Sequence, residues 1–177
     1  MGELLFDMDN CIGEGTFGKI YSSKCRKYAL KVFEYESYDY KDELKFLSIC
    51  QGHPNVVKLF NLPCLIEGVF LVLELAESNL FQYIFYNDDI DVLGIGVQLF
   101  KGLEYIHLKN IIHADIKDEN ILVFDDGKRV TICDFGGSMT LNEIKYFDPD
   151  TTTVSHRAPE ILSCQSNIIR YLEILIF

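Results

Sequence analysis

The sequence predicts an α+β fold with two lobes, in which a small antiparallel β-sheet with one helix precedes a helical second lobe. Two observations predict it: β-like runs and turns alternate in the first part of the chain, and helical apolar spacing follows them. A third observation is that no repeat, low-complexity stretch or linker interrupts the chain. We therefore expect a single domain over residues 1–177, with an N-lobe at about 1–75 and a C-lobe at 76–177.

Composition agrees with this fold and excludes some classes of protein. The 177 residues are 49% hydrophobic, which suffices for a core, and the formal net charge of -11 argues against binding nucleic acid or an anionic membrane. No apolar run reaches the roughly 18 residues of a membrane span. The six cysteines form no CxxC pair, and no secretory signal precedes them. We expect reduced thiols in an intracellular, cytoplasmic protein.

The first element is a turn between two β-like runs, NCIGEGTFGKIYSS, in which Gly13, Gly15 and Gly18 form G-x-G-x-x-G. Such spacing is weak alone, because dinucleotide-binding folds and plain glycine hairpins also contain it. In a dinucleotide-binding fold a helix follows the third glycine, whereas here KIYSS continues as a strand. The glycines would let the backbone close over phosphates, with Phe17 shielding them from water. A plain glycine hairpin remains the alternative.

The next predicted strand, KYALKVFEY, carries Lys31 among apolar residues. A lysine buried in such a strand needs an anionic partner, because an unpaired buried charge is costly. The following stretch, YKDELKFLSIC, has Leu44, Leu47 and Cys50 at helical spacing and predicts the N-lobe helix. The alternative is a surface lysine on an edge strand.

Two further strands, HPNVVKLF and GVFLVLELAE, complete the predicted N-lobe sheet. Two helices are predicted after it. SNLFQYIFY is the short one, and DIDVLGIGVQLFKGLEYIHLKN is the longer one. The longer helix places apolar side chains on one face: Val92, Ile95, Leu99, Leu103 and Ile106.

The stretch IIHADIKDENILVFDDGKRVTICDFG carries the chemistry. Asp115, Lys117 and Asn120 fall on one short loop, and a predicted hairpin then leads to Asp134. These residue types suit phosphoryl transfer. A carboxylate orients the acceptor hydroxyl and a lysine neutralises the phosphate, while an amide and a second carboxylate hold divalent cations.

At these residues the chain resembles the eukaryotic-type protein kinase superfamily, whose catalytic-loop and D-F-G signatures it matches, except that Ala114 replaces an arginine. The resemblance covers about residues 10–162 and ends on Ala158-Pro159-Glu160. Lys117 and Thr153 stand where the serine/threonine branch of the family has a lysine and a threonine, so the chain resembles that branch. The implied activity is transfer of the γ-phosphate of ATP, with Mg²⁺, to serine or threonine hydroxyls of protein substrates.

The resemblance also implies site residues. Asp115, Lys117 and Thr153 would be catalytic, and Asn120 and Asp134 would hold the metal. Backbone from Glu74 to Ala76 would form the hinge that binds adenine. The expected nucleotide-binding residues are Ile12, Gly13, Glu14, Gly15, Thr16, Phe17, Gly18, Lys19, Ile20, Ala29, Lys31, its partner Glu43, Glu74, Ala76 and Leu122. Four side chains would stack through both lobes: Leu47, Leu59, His113 and Phe135.

Two departures from the family pattern leave alternatives open. Ala114 removes the cation that would pair with a phosphate on the activation segment. Beyond Glu160 the family's D-x-W-x-x-G helix is not found, so we expect a partial C-lobe, cut short. Either the apolar C-terminal residues, a partner protein or self-association covers the surface left open, or the C-terminus reflects a premature stop or frameshift in a longer kinase. The alternatives are a weak or inactive kinase-like binding module, acting on another kinase or its substrate, and a small-molecule kinase, which Thr153 and the Ala-Pro-Glu motif disfavour.

Overall fold

A computed structural model describes residues 5–15, 18–34, 38–62 and 67–146. Several residues singled out in the sequence lie outside the described residues: Thr16, Phe17, Thr153, the Ala158-Pro159-Glu160 motif and the apolar C-terminal stretch. The predicted site residues other than Thr16, Phe17 and Thr153 lie within the described ranges.

The N-lobe is a five-stranded antiparallel sheet with strand order β1-β2-β3-β5-β4. The strands are β1 (Phe6–Gly15), β2 (Gly18–Ser23), β3 (Tyr28–Phe33), β4 (Leu59–Phe60) and β5 (Val69–Glu74). β3 lies at the centre of the sheet, and Leu30 is fully buried there. The predicted antiparallel N-lobe is confirmed, and its central strand is the one that carries Lys31.

One helix, α1 (Tyr38–Ile49), packs against this sheet. Leu47 and Cys50 are fully buried, as their helical spacing predicts. The Gln51 side chain ties down the end of the helix, because its Nε2 donates to the carbonyls of Leu47 and Val57 at 3.1 and 3.0 Å. Its Oε1 accepts the Leu59 N–H at 2.9 Å. The helix is therefore anchored at the end that leads to β4.

The prediction of a strand over HPNVVKLF is wrong for most of its length, since only Leu59 and Phe60 are paired in the N-lobe sheet. The preceding backbone contacts the other lobe instead. Val57 N–H donates to the Ile132 carbonyl at 2.9 Å, and Ile132 N–H donates to the Asn55 carbonyl at 2.9 Å. Hydrogen bonds that the sequence pattern assigns to the sheet thus connect the two lobes.

The C-lobe contains helices and short strands. They are β6 (Ser78–Asn79), α2 (Leu80–Tyr86), α3 (Val92–Leu108), β7 (Ile111–Ile112), β8 (Ile121–Phe124), β9 (Arg129–Ile132) and β10 (Met139–Thr140). β6, β8 and β9 form one small sheet, and β7 pairs with β10. The Asn79 side chain caps α2 by accepting the Gln82 N–H at 2.8 Å. The two-lobed α+β fold is as predicted.

The apolar face of α3 is confirmed except at its first residue. Ile95 and Ile106 are buried, but Val92 is 73% exposed because the helix begins there, at the edge of the core. Leu93 and Phe100 are also exposed on α3, as Phe85 and Tyr86 are on α2. None of the helices in the described residues has the length and apolar composition that a membrane span requires.

Thr131, on β9, is fully buried, and its hydroxyl has no hydrogen-bond partner among the described residues. A buried unsatisfied polar atom costs about 1–3 kcal/mol of folding free energy. Thr131→Val should therefore raise the free energy of unfolding by about 1 kcal/mol, measured by urea denaturation.

The matched control is Thr140→Val, because the Thr140 hydroxyl donates to Glu143 Oε2 at 2.7 Å. Valine removes this hydrogen bond and relieves no unsatisfied polar atom. This control should leave stability unchanged or lower it. A loss of stability in Thr131→Val as large as that in the control would show that the Thr131 hydroxyl is satisfied in solution.

Candidate active site

Lys31 joins three elements of the protein. β3 directs its ammonium group toward α1, where Nζ lies 2.6 Å from Glu43 Oε2. The same nitrogen lies 2.9 Å from Asp134 Oδ1, at the start of the D-F-G stretch. The side chains of Lys31 and Glu43 are only 8% and 1% exposed. The predicted partnership of these residues is present, and it includes a carboxylate from the C-lobe.

The charge on Lys31 depends on these two carboxylates. Burial alone would lower the pKa of Lys31, but the negative charges of Glu43 and Asp134 outweigh burial and hold the pKa above its ordinary value. The ammonium is therefore charged at neutral pH. The Lys31 ammonium therefore remains a charged hydrogen-bond donor that could also contact an anionic ligand.

The predicted catalytic loop brings Asp115, Lys117 and Asn120 together. Asp115 Oδ2 lies 2.9 Å from Lys117 Nζ and 3.0 Å from Asn120 Nδ2. Asn120 Nδ2 also donates to the Asp115 backbone carbonyl at 2.9 Å. Asn120 ends a 3₁₀ turn, Asp118–Asn120, directly before β8, so the strand fixes its position. The loop therefore holds one carboxylate between an ammonium and an amide.

His113 connects this loop to the D-F-G stretch. Its Nδ1 accepts the Asp115 N–H at 3.3 Å, so its Nε2 carries the proton and donates to the Cys133 carbonyl at 2.9 Å. Burial lowers the pKa of His113, which favours this neutral form. Its ring meets that of Phe135 edge to face, with centroids 5.0 Å apart. Phe135 belongs to the same core cluster as Leu47, and Leu59 packs against that cluster.

Two residues of the site have left-handed backbone conformations. The φ angles of Ala114 and Asp134 are +67° and +65°. Aspartate tolerates this region better than alanine, which has no polar side chain to compensate the steric cost. Such strain persists where the surrounding structure enforces it, and it often marks functional sites. Here the two bends lie on the two chain segments that His113 joins.

Gly18 is required by packing within the sheet. It pairs with Gly15 across the β1–β2 turn and has a φ of +153°. A Cβ at this position would lie 2.2 Å from the Val32 carbonyl oxygen on β3, whereas a Cβ at Gly13 would meet Ile20 at an ordinary 3.7 Å. Close approach of strands therefore explains Gly18 without reference to a phosphate. Ile12 and Lys19 are exposed, and Lys19 lies 3.8 Å from Glu14.

Gly18→Ala should destabilise the N-lobe sheet, since a backbone carbonyl cannot move aside without breaking strand pairing. We expect a loss of about 2 kcal/mol or more in unfolding free energy, as for strained small-to-large changes. Gly13→Ala is the matched control and should change stability by less than about 1 kcal/mol. Equal denaturation midpoints for the two variants would contradict the clash at Gly18.

The predicted hinge follows β5. The N–H groups of Glu74 and Leu75 donate to the carbonyls of Lys58 and Lys27 at 3.0 and 3.2 Å. Within the described ranges, the Ala76 N–H donates to no backbone carbonyl. Four apolar side chains from the two lobes belong to or pack against the main core cluster: Ile20, Ala29, Leu80 and Leu122. The side chains expected around adenine are therefore part of the core that the two lobes share.

The side-chain partners of the hinge are not predicted by the sequence. Glu74 is expected to contribute only its backbone, but its carboxylate pairs with Arg129 of β9, with Oε2 2.9 Å from Nη2. Glu77, one residue beyond Ala76, accepts the N–H groups of Asp125 and Asp126 in the β8–β9 turn. The available signal was an arginine at the start of an otherwise buried strand.

The donor set near Asp134 fits a magnesium ion. Asn120 uses its amide nitrogen on Asp115, so its carbonyl oxygen is the remaining polar atom of the side chain. Asp134 supplies a carboxylate, and oxygen ligands of this kind suit Mg²⁺. Nowhere in the described residues do three His, Cys, Asp or Glu side chains converge to form a metal site. The fit is to an ion that takes one or two protein ligands and completes its shell with phosphate and water.

Similarity to known proteins agrees with this geometry. The family model for the protein kinase domain matches residues 6–171. A carbon catabolite-derepressing protein kinase of Saccharomyces cerevisiae is 28% identical over 166 residues, covering 86% of this chain and 26% of the relative.

Two other relatives are similarly distant. A probable myosin light chain kinase of Dictyostelium discoideum is 33% identical over 90% of this chain and 36% of its own length. Human serine/threonine-protein kinase D2 is 30% identical over 87% of this chain and 19% of its own length. The chain therefore spans from about a fifth to about a third of the length of these relatives. By the extent of the family match, the chain belongs to the protein kinase domain family.

Proposed function

We propose that residues 1–177 act as one domain that transfers the γ-phosphate of ATP, with Mg²⁺, to serine or threonine hydroxyls of protein substrates. The observation that carries this proposal is the pair of contacts from Lys31 to Glu43 and Asp134, at 2.6 and 2.9 Å. The lysine that we propose binds the nucleotide is therefore adjacent to the carboxylate that we propose binds the metal. The catalytic loop supplies the groups that act on the acceptor.

The N-lobe and hinge would hold the nucleotide. Ala76 would donate its N–H to adenine and the Glu74 carbonyl would accept from it, between the apolar side chains of Ala29 and Leu122. Lys31 would bind the phosphates, because it remains charged and its direction is fixed by Glu43. The other predicted contacts of the glycine turn, including Thr16 and Phe17 outside the described residues, remain predictions.

The catalytic loop would act on the acceptor. Asp115 would orient the serine or threonine hydroxyl and take up its proton, and Lys117 would stabilise charge on the transferring phosphate. Asn120 and Asp134 would hold Mg²⁺, which neutralises the triphosphate when bound. Thr153 would add a hydroxyl to this group, but it lies outside the described residues. The naming of one relative as a serine/threonine kinase supports the choice of acceptor.

Thiol chemistry supports an intracellular site of action. Four cysteines in the described part of the chain are free: Cys11, Cys25, Cys50 and Cys133. Disulfides are rare in reducing compartments, so unpaired thiols fit the interior of a cell. Burial raises the pKa of the Cys50 thiol to about 11, which makes this group unreactive at neutral pH.

A binding module without catalysis is the second candidate, and the exposed apolar residues of α2 and α3 favour it. Phe85 and Tyr86 on α2 and Leu93 and Phe100 on α3 are all more than two-thirds exposed. Exposed large apolar side chains often mark a surface that binds another protein. A partner or a second copy of the chain could cover it. The complete set of charged residues at the site nevertheless favours the enzyme.

The proposal is tested by Mg-ATP binding to the purified full chain. We expect ATP with MgCl₂ to raise the melting temperature by several degrees at saturation, since a ligand at about 100 times its Kd stabilises by about 2.7 kcal/mol. ATP with EDTA should give a smaller shift, because the triphosphate is then poorly neutralised. If no magnesium-dependent shift is seen, or if ATP binds but no phosphate is transferred, the proposed kinase function is wrong and the binding module takes its place.

A further inference from the structure

Two glutamates bind the β8–β9 hairpin: Glu74, at the start of the hinge, and Glu77, the residue after it. The Glu74 carboxylate accepts hydrogen bonds from both terminal nitrogens of Arg129, with Oε1–Nη1 and Oε2–Nη2 distances of 3.3 and 2.9 Å. The Glu77 carboxylate accepts the N–H groups of Asp125 and Asp126 at 3.0 and 3.1 Å. Glu74, Glu77 and Arg129 together form what we call the hinge clamp. It attaches the first residue of the hinge, and the residue that follows the hinge, to one C-lobe hairpin.

The Glu74–Arg129 ion pair is less exposed to solvent than an ordinary surface ion pair, and both side chains make additional contacts. The side chains are 15% and 32% exposed, so water screens the pair only in part. The guanidinium carbon of Arg129 lies 3.8 Å from the centroid of the Phe124 ring, in a cation–π contact. Glu74 Oε1 also accepts the Lys58 N–H at 3.0 Å. Both charged groups are therefore oriented by third partners.

The turn that Glu77 binds has an unusual backbone. Asp125, Asp126 and Gly127 all have positive φ angles, of 53°, 54° and 83°. Successive residues of this kind direct neighbouring N–H groups to one side, where an anion can bind them. The Glu77 carboxylate supplies that anion from within the chain. The turn of the hairpin therefore binds the residue that directly follows the hinge.

The hinge clamp connects the hinge to the hairpin that carries Leu122, one of the side chains of the proposed adenine site. β8 carries Leu122, which pairs with Asn79 just after the hinge, while Arg129 on β9 reaches back to Glu74 before it. We infer that Arg129 is a positioning residue for nucleotide binding, which holds the hinge backbone in register with Leu122 through Glu74 without touching the nucleotide. This inference rests on the function proposed above, and it names how the nucleotide site is held in shape.

Removing the clamp should weaken nucleotide binding more than transfer. The apparent Kd rises by the inverse of the fraction of molecules in the binding-competent form. Arg129→Met keeps an aliphatic chain over Phe124 but removes the charge and all the donors. We expect the Kd for Mg-ATP to rise about tenfold, with kcat at saturating ATP within about twofold of the wild-type value. Lys128→Met, an equal charge change at the neighbouring exposed residue, should alter neither.

A double-mutant cycle separates the pair from general damage to the hairpin. Glu74→Gln keeps an oxygen for the Lys58 N–H but removes the carboxylate charge. If the two side chains act as one unit, Arg129→Met in the Glu74→Gln background should raise the Kd by less than about twofold. Independent, multiplying effects of the two substitutions would contradict a shared clamp.

Hydrogen exchange of the ligand-free full chain tests the clamp apart from nucleotide binding. In Arg129→Met, amides of the peptide that spans residues 74–79 should exchange faster than in wild type and in Lys128→Met. Unchanged exchange would overturn the inference, and so would faster exchange with an unaltered Kd or a change confined to kcat. If exchange rises but wild type binds no Mg-ATP, the proposed function fails and the nucleotide-positioning role fails with it.

Discussion

Replacing Asp115 with asparagine is expected to abolish phosphate transfer and to leave Mg-ATP binding nearly intact. Asparagine has the same shape but cannot accept the proton of the acceptor hydroxyl. Loss of a positioned general base costs about 10²–10⁴-fold in rate. The Asp115 carboxylate contacts Lys117 and Asn120 on its own loop, so the nucleotide-binding contacts of the N-lobe should persist. The measurement is transfer from radiolabelled ATP to a basic acceptor protein, together with the Kd for Mg-ATP.

The matched control is Asp126→Asn, the same chemical change at an exposed position on the β8–β9 turn. It should transfer phosphate at the wild-type rate, because its side chain lies away from the catalytic loop. Equal labelling of the acceptor by Asp115→Asn and wild type would refute the catalytic role. A bound but unreactive nucleotide in wild type would favour the binding module instead.

The second large effect is expected from Lys31→Met. Methionine preserves the packing of the aliphatic chain but leaves the Glu43 carboxylate, which is 1% exposed, without its cation. Removal of one member of a buried ion pair costs about 3–5 kcal/mol of unfolding free energy. Mg-ATP binding and transfer should be lost as well, because the phosphates lose a charged partner. Denaturation midpoints, the Kd and the transfer rate measure these effects.

A second variant separates stability from chemistry. Lys31→Met/Glu43→Leu removes both members of the buried pair and should recover much of the lost stability, since a hydrophobic replacement of a buried pair is often neutral. It should not recover transfer. Lys27→Met, at an exposed position just before β3, controls for loss of one positive charge. Wild-type transfer by Lys31→Met, or a double variant no more stable than the single one, would contradict this account.

The sequence determined most of the local structure and the composition of the site. The β-like runs around the glycine turn, the strand that carries Lys31 and the hairpin before Asp134 were predicted from period, turn residues and β-branched content. Asp115, Lys117 and Asn120 are close in the chain, so a single loop had to bring them together. Short-range order of this kind depends on neighbouring residues, which is why the pattern reveals it.

Only the tertiary structure decided the contacts between distant parts of the chain. No local pattern shows that Asp134 contacts Lys31 together with Glu43, because Asp134 lies in the C-lobe and Lys31 in the N-lobe. The HPNVVKLF stretch has strand character, but its backbone bonds to Ile132 outweigh that preference. The pairing of Glu74 with Arg129 depends on how two strands of different sheets approach. The sequence offers several residues that could pair equally well with each of these groups. Hydrogen bonds and burial between the lobes determine which pairs form, and these depend on the tertiary structure.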